Sequence, residues 1–202
     1  MKPRLLFATT NTGKLKELRG LVGEAVEVVS LKDLPPLPEP EEDEPTFEGN
    51  AAKKAREYAQ ATGLAALADD SGLCVDALGG RPGVLSARYA EGDDRARYEK
   101  LLRELSDVPE ARRTASFQCA LCLVTPSGEV RTEVGQCEGR ILTAPRGTQG
   151  FGYDPVFFLP TMGKTMAELT PEEKARVSHR GEAFRRMRPW LTALQATGEQ
   201  GR

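Results

Sequence analysis

Apolar and polar positions change rhythm several times along the chain. Leu5-Leu6-Phe7-Ala8 is an unbroken apolar run, and residues 4–10 read as a strand. Small polar residues, Thr9-Thr10-Asn11-Thr12-Gly13-Lys14, interrupt it. Leu15 and Leu18 then follow at helical spacing and predict a helix over 13–22. Residues 26–31, VEVVSL, alternate in part and read as a second strand. The stretch KDLPPLPEPEEDEPTFEGN holds five prolines and a run of acids, which excludes regular structure over most of it. It leads into a helix, AAKKAREYAQATG, with Thr46 as N-cap and Gly63 as stop.

Leu64 to Ala68 read as a short buried strand that breaks off at Asp69-Asp70-Ser71-Gly72. RPGVLSARYA reads as loop, and Asp93 to Leu105 as an amphipathic helix. Strands over 113–125 and 128–139, joined through Pro126-Ser127-Gly128, predict a hairpin. TQGFGYDPVFFLP is a glycine-punctuated aromatic loop that enters a short strand. Thr170-Pro171-Glu172-Glu173 combines an N-cap, a first-turn proline and an acid at the third position, a helix start. A further helix begins around His179–Gly181. Strands alternating with helices, followed by a hairpin, predict a mixed α/β fold. No repeat and no linker divides the 202 residues, so one domain is expected.

Composition narrows the function classes. Charged residues are 29% and apolar residues 39%, ordinary for a globular protein. A formal net charge of −2 disfavours a broad electrostatic grip on nucleic acid. No stretch approaches the roughly 20 apolar residues of a membrane span. Met1-Lys2-Pro3-Arg4 runs straight into a strand-like segment too short for a signal peptide, so the expected compartment is the cytoplasm. Of the four cysteines, Cys119 and Cys122 form a CxxC. They lie in a strand-like run where residues three apart face opposite sides, which points to buried free thiols instead of a zinc site. Asparagine occurs only at Asn11 and Asn50, and histidine only at His179, and all three fall inside polar clusters.

Five clusters carry candidate chemistry. Thr9 to Lys14 is not a Walker A loop, because the first glycine and the Ser or Thr after the lysine are missing. A strand-to-helix turn still offers unpaired amides, short hydroxyls and a lysine to a phosphate. The alternative is a capped turn with a solvated lysine. Asp69-Asp70-Ser71-Gly72, at a strand end, sets adjacent carboxylates together, and a cation such as magnesium would relieve their repulsion. The alternative is a turn that uses one Asp as a cap. Asn50 and Lys54, four apart, share a helix face. They form either a polar site or an ordinary capped surface helix. Gly150 to Pro155 lets backbone approach a flat ligand that Phe151 or Tyr153 could stack on, or else it plugs aromatics into the core. Ser178-His179-Arg180, with Lys174, groups the sole histidine with strong donors.

Taken in order, TTNTGKLKEL, TFEGNAAKKA, ADDSGLCVDALGGRPGVLSARYA, GFGYDPVFF and ELTPEEKARVSHRGEA resemble the inosine triphosphate pyrophosphatase family. More narrowly they resemble its bacterial XTP/dITP diphosphatases, which act on non-standard purine nucleoside triphosphates. The matching stretches span residues 9 to 183. The resemblance implies magnesium-dependent hydrolysis of ITP, dITP and XTP to the nucleoside monophosphate and pyrophosphate, which removes deaminated purines before polymerases use them. It implies an elongated, two-lobed α/β protein around a long mixed sheet, with the nucleotide in a cleft between the lobes, and a homodimer. It also implies residue roles. Thr9, Thr10, Asn11, Thr12, Gly13 and Lys14 match the triphosphate loop, and Asn50 and Lys54 match polar groups near the phosphates. Asp70 matches the general base and a metal ligand. Glu42 matches a second metal-ligand carboxylate, with Glu41 and Glu44 as close competitors. Ser71 matches a substrate contact, and Phe151, Gly152, Tyr153, Asp154, Lys174, His179 and Arg180 match the base-recognition side. Gly49 stands where the family often has a glutamate. Two rival readings are a pyrophosphatase of ordinary nucleotides and a nucleotide sensor without catalysis. RNA binding, raised by 19 arginines, is disfavoured by the net charge and the lack of a basic run.

Overall fold

Leu5, Leu6 and Phe7 are buried along β1 (Arg4–Phe7). A strand without polar alternation suits a parallel sheet whose two faces are both covered. The computed structural model, which describes residues 2–24 and 26–199, pairs β1 in parallel with β2 (Glu27–Ser30) and with β3 (Ala65–Val75). Leu5 stands opposite Val28 on one side and Ala65 on the other. Helix α1 (Thr12–Val22) connects β1 to β2, and α2 (Phe47–Thr62) connects β2 to β3. The expected ends of α2 are present. The Thr46 hydroxyl accepts the Gly49 amide at 3.0 Å, and Gly63 closes the helix at φ +67°.

Seven strands form one sheet in the order β2-β1-β3-β4-β5-β6-β7, with β4 Thr114–Val124, β5 Val130–Ile141, β6 Phe157–Leu159 and β7 Lys164–Thr165. β5 pairs antiparallel with β6, and β6 with β7, so the sheet is mixed and the α/β class is as expected. Helix α3 (Asp94–Glu104) is capped by Asp93, α4 (Pro171–Val177) by the Thr170 capping box, and α5 spans His179–Glu199. RPGVLSARYA contains a 3-10 segment, Gly83–Arg88, where the sequence reads as loop.

One expectation is corrected. The strand of residues 64–68 does not break off at Asp69; β3 runs unbroken through Asp69-Asp70-Ser71-Gly72 to Val75. Buried polar side chains can stand within a strand when the fold supplies them with partners, and both aspartates have buried partners.

The chain divides into two compact units. The first comprises Met1–Asp70, Cys119–Gly135 and Arg180–Arg202, and its core is built from Leu5, Phe7, Leu18, Leu67, Leu121 and Met187. The second comprises Ser71–Gln118 and Gln136–His179, with a core around Leu73, Leu101, Phe117, Tyr153 and Phe157. The boundaries fall inside β3, β4 and β5 and at the first residue of α5, none of them in a linker. Cys119, Cys122 and Cys137 are buried free thiols, and Cys74 is free and half-buried.

Candidate active site

In the first unit, the polar loop after β1 is a built helix entry. The Thr9 hydroxyl accepts the Asn11 amide at 3.1 Å, and Asn11 Oδ1 accepts the Lys14 amide at 3.0 Å. Asn11 is thus the N-cap of α1, so one of the chain's two asparagines stands where a short acceptor is needed. The first-turn amides of α1 lie at the positive end of its dipole, with Thr10, Asn11 and Thr12 exposed and Thr9, Gly13 and Lys14 half-buried around them. A phosphate fits that arrangement.

Strand alternation separates the two aspartates. Asp69 is 1% exposed, and its carboxylate pairs with the Lys14 ammonium, with Arg180 Nε at 3.2 Å and with the Cys119 thiol at 3.0 Å. Arg180, 2% exposed, also pairs with Glu17. Lys14 and Glu17 lie three apart on α1 and so share a face. Four alternating charges result: Lys14, Asp69, Arg180, Glu17. Burial disfavours the Asp69 anion, but Arg180 and Lys14 outweigh it and hold the carboxyl well below its ordinary range.

Asp70 has a different environment. It is 5% exposed, and Asn50 Nδ2 donates to its Oδ2 at 3.0 Å. Burial pushes its pKa up to about 6, against the pull of the Lys54 charge and the Asn50 hydrogen bond. The expectation that two neighbouring carboxylates jointly demand a cation therefore fails for Asp69, which already has its own. Only Asp70 keeps the character of a carboxylate near its titration point.

Lys54 and Asn50 draw the acidic loop onto α2. Lys54 Nζ reaches Glu42 Oε1 at 2.5 Å and the Asp69 carbonyl at 2.7 Å. Asn50 Oδ1 accepts the Glu44 amide at 3.0 Å. Of the three competing acids, Glu42 is the one whose carboxylate meets Lys54, whereas Glu44 engages Asn50 through its backbone. A β-carbon at Gly49 would stand 2.9 Å from Glu44 Cβ, so glycine lets the loop close on the first turn of α2.

Among the described residues no three His, Cys, Asp or Glu side chains gather as a metal cage. Asp70 and Glu42 supply two carboxylates around Lys54, and Glu42 is close enough to raise the Asp70 pKa. Magnesium takes one or two carboxylates and completes its shell with water and phosphate oxygens, so this donor set fits it better than it fits a closed protein site.

In the second unit, Gly150-Phe151-Gly152-Tyr153-Asp154 forms a tight turn. Asp154 Oδ2 accepts the Phe151 amide at 3.0 Å and the Lys174 ammonium at 2.6 Å. Lys174 Nζ also lies 4.8 Å from the Phe151 ring centroid. Tyr153 does not offer its ring for stacking. It is buried in the core and its hydroxyl donates to the Ser86 carbonyl at 2.8 Å, which leaves stacking to the half-buried Phe151. His179 is buried, stacked on Phe117 at 4.8 Å. Ser71 is half-buried on β3. Gly150 has φ +76°, and a β-carbon there would collide with the Asp154 carboxylate. Gly150→Ala is therefore expected to cost more than about 1 kcal/mol of stability, read as a lowered Tm.

The sequence matches the pattern of the Ham1 family over residues 5–190. The chain belongs to the Ham1 family. A dITP/XTP pyrophosphatase of Geobacter sulfurreducens is 54% identical over 184 residues, 90% of this chain and 92% of the relative. One of Halalkalibacterium halodurans is 49% identical, over 92% and 97% of the two chains. The Ham1 protein structure from Staphylococcus aureus superimposes with a TM-score of 0.83 at 37% identity, over 98% of this chain and 100% of that one.

In this Ham1 chain, the expected phosphate and metal residues Thr9–Lys14, Glu42, Asn50, Lys54 and Asp70 all lie in the first unit, and the last four form one hydrogen-bonded and electrostatic cluster. Ser71, Phe151–Asp154, Lys174 and His179 lie in the second. Arg180 belongs to the first unit, and its guanidinium is engaged by Asp69 and Glu17. Sequence reasoning missed Glu17 and gave Asp69 no separate role. The i,i+3 spacing of Lys14 and Glu17 was the available signal.

Proposed function

We propose that this Ham1-family protein is a magnesium-dependent nucleoside triphosphate pyrophosphatase. It hydrolyses dITP, XTP and ITP to the nucleoside monophosphate and pyrophosphate, and so keeps deaminated purines out of DNA and RNA. The observation that carries this reading is the buried Asp70, poised to about 6 between Asn50 and Lys54. A carboxylate with that pKa is a competent base near neutral pH. Asp70 orients and deprotonates the attacking water, and Asn50 fixes its Oδ2. Lys54, and Lys14 with the α1 amides, neutralise the departing pyrophosphate, since phosphoryl chemistry is mostly positioning and charge. Asp70 and Glu42 would hold the metal, which when bound supplies charge neutralisation on the phosphate oxygens.

Phe151 offers the purine a stacking face. Hypoxanthine and xanthine present an acceptor O6 where adenine presents a donor, and the donors Lys174 and His179 match that acceptor in type, whereas the Arg180 guanidinium is already enclosed by Asp69 and Glu17. Among the described residues no helix is long and apolar enough to cross a membrane. The family resemblance supports a homodimer working in the cytoplasm.

Pyrophosphate release is the test, with ITP, dITP, XTP and the four ordinary nucleoside triphosphates, each with and without magnesium. Release from the deaminated purines alone, and only with magnesium, is the expected result. Equal release from ATP and GTP would sink the base selection, and no release from any of them would leave a nucleotide-binding protein without this chemistry.

A further inference from the structure

The Phe151 turn is held from outside itself. Asp94 Oδ2 accepts the Gly152 amide at 2.7 Å, from the first turn of α3 and 58 positions earlier in the chain. Asp94 is not needed as the helix cap. The cap of α3 is Asp93, whose side chain accepts the Ala96 amide at 2.9 Å. The other Asp94 oxygen, Oδ1, pairs with Arg97 at 2.6 Å, an i,i+3 contact that leaves the Asp94 side chain 47% accessible and Oδ2 for the turn. The amides on either side of the Phe151 α-carbon are therefore gripped by two carboxylates, Asp154 from within the turn and Asp94 from α3. Tyr153, next in sequence, is anchored in the core by Ser86. The one ring of the turn that stays half exposed is thus fixed on both flanks.

We propose that Asp94 is a positioning residue for base recognition, setting the plane of the Phe151 ring through the Gly152 amide. The inference rests on the nucleotide pyrophosphatase reading above. Stacking depends on ring orientation, so a loosened turn weakens purine binding and leaves the water-activating carboxylate untouched. A carboxylate bond to a backbone amide is among the stronger hydrogen bonds, but exposure reduces its effect.

The test compares Asp94→Ala and Asp94→Asn with the wild type, in dITP and dGTP kinetics with magnesium and in exchange of the Gly152 amide proton by NMR. Asp94→Ala is expected to raise KM for dITP about tenfold with kcat within about twofold, to narrow the preference for dITP over dGTP, and to speed Gly152 exchange. Asp94→Asn keeps an acceptor oxygen and loses the Arg97 ion pair, so it should stay close to wild type. An unmoved KM in Asp94→Ala overturns the proposal. Equal damage in both variants also overturns it, because the Arg97 pair would then be the operative contact. A fall in kcat alone assigns Asp94 elsewhere. A wild type that turns over no dITP overturns the parent reading and this one with it, whereas wild-type turnover with an indifferent Asp94 overturns this one alone.

Discussion

Asp70→Asn is expected to lower dITP turnover by about three orders of magnitude and to leave nucleotide affinity within a few-fold. The asparagine keeps the shape and one acceptor oxygen but removes the base. Steady-state turnover and calorimetric titration with the nucleotide separate the two effects; parallel loss of binding would make Asp70 an anchor instead of a base. The same substitution has an opposite effect on folding. Burial raises the folded-state pKa of Asp70 to about 6, above the ordinary value of 3.8, so its ionisation opposes folding. That penalty is absent below pH about 4, grows between about 4 and about 6, and is complete above. The metal-free variant should therefore be more stable than wild type at pH 8, by at most about 3 kcal/mol, with the difference vanishing near pH 4. Denaturant melts at the two pH values check this, and a difference that does not change with pH would remove burial of the charge as the cause.

Asp69→Asn is the second large effect, and it concerns stability first. Arg180 is enclosed by Asp69 and Glu17, and removing one carboxylate leaves a buried guanidinium half compensated. Breaking a buried pair from one side costs about 3 kcal/mol or more. Chemical denaturation should show that loss with little dependence on salt, because a buried pair is poorly screened. Arg180→Met in the same chain should restore part of it. A loss below about 1 kcal/mol would mean that Glu17 alone can hold the arginine. The exposed Arg95–Glu99 pair, with side chains 73% and 42% accessible, is the natural control, and its removal should scarcely register.

The two aspartates also mark the limit of what can be read without a fold. Side by side in sequence, they look like one acidic site at the end of a strand. In the structure the strand continues, its alternation sends them to opposite faces, and each finds its own partners. Tyr153 and Phe151 divide in the same way: equivalent aromatics in the sequence, of which one is committed to the core and the other kept at the surface of its turn. Glu42 emerges from three neighbouring acids only because Lys54, 12 residues away, reaches it.

By itself, the sequence determined most of the local structure, though not the length of β3, and the family. Helix starts at Thr46 and Thr170, the Gly63 stop, the hairpin and the buried thiols all follow from short-range chemistry: caps, φ preferences and apolar periodicity act within a few residues. The ordered motifs identify the family because their residue types and spacing recur as a set. Only the tertiary structure decided which carboxylate is neutralised and which is poised. Asp69 meets Arg180 across 111 residues and Asp70 meets Asn50 across 20, and such pairings are set by how strands and helices pack, which no local pattern encodes. Burial then converts the difference in partners into a difference in ionisation, because in a low-dielectric interior a carboxylate paired directly with two cations and one bonded to an amide, with its cations farther off, no longer titrate alike.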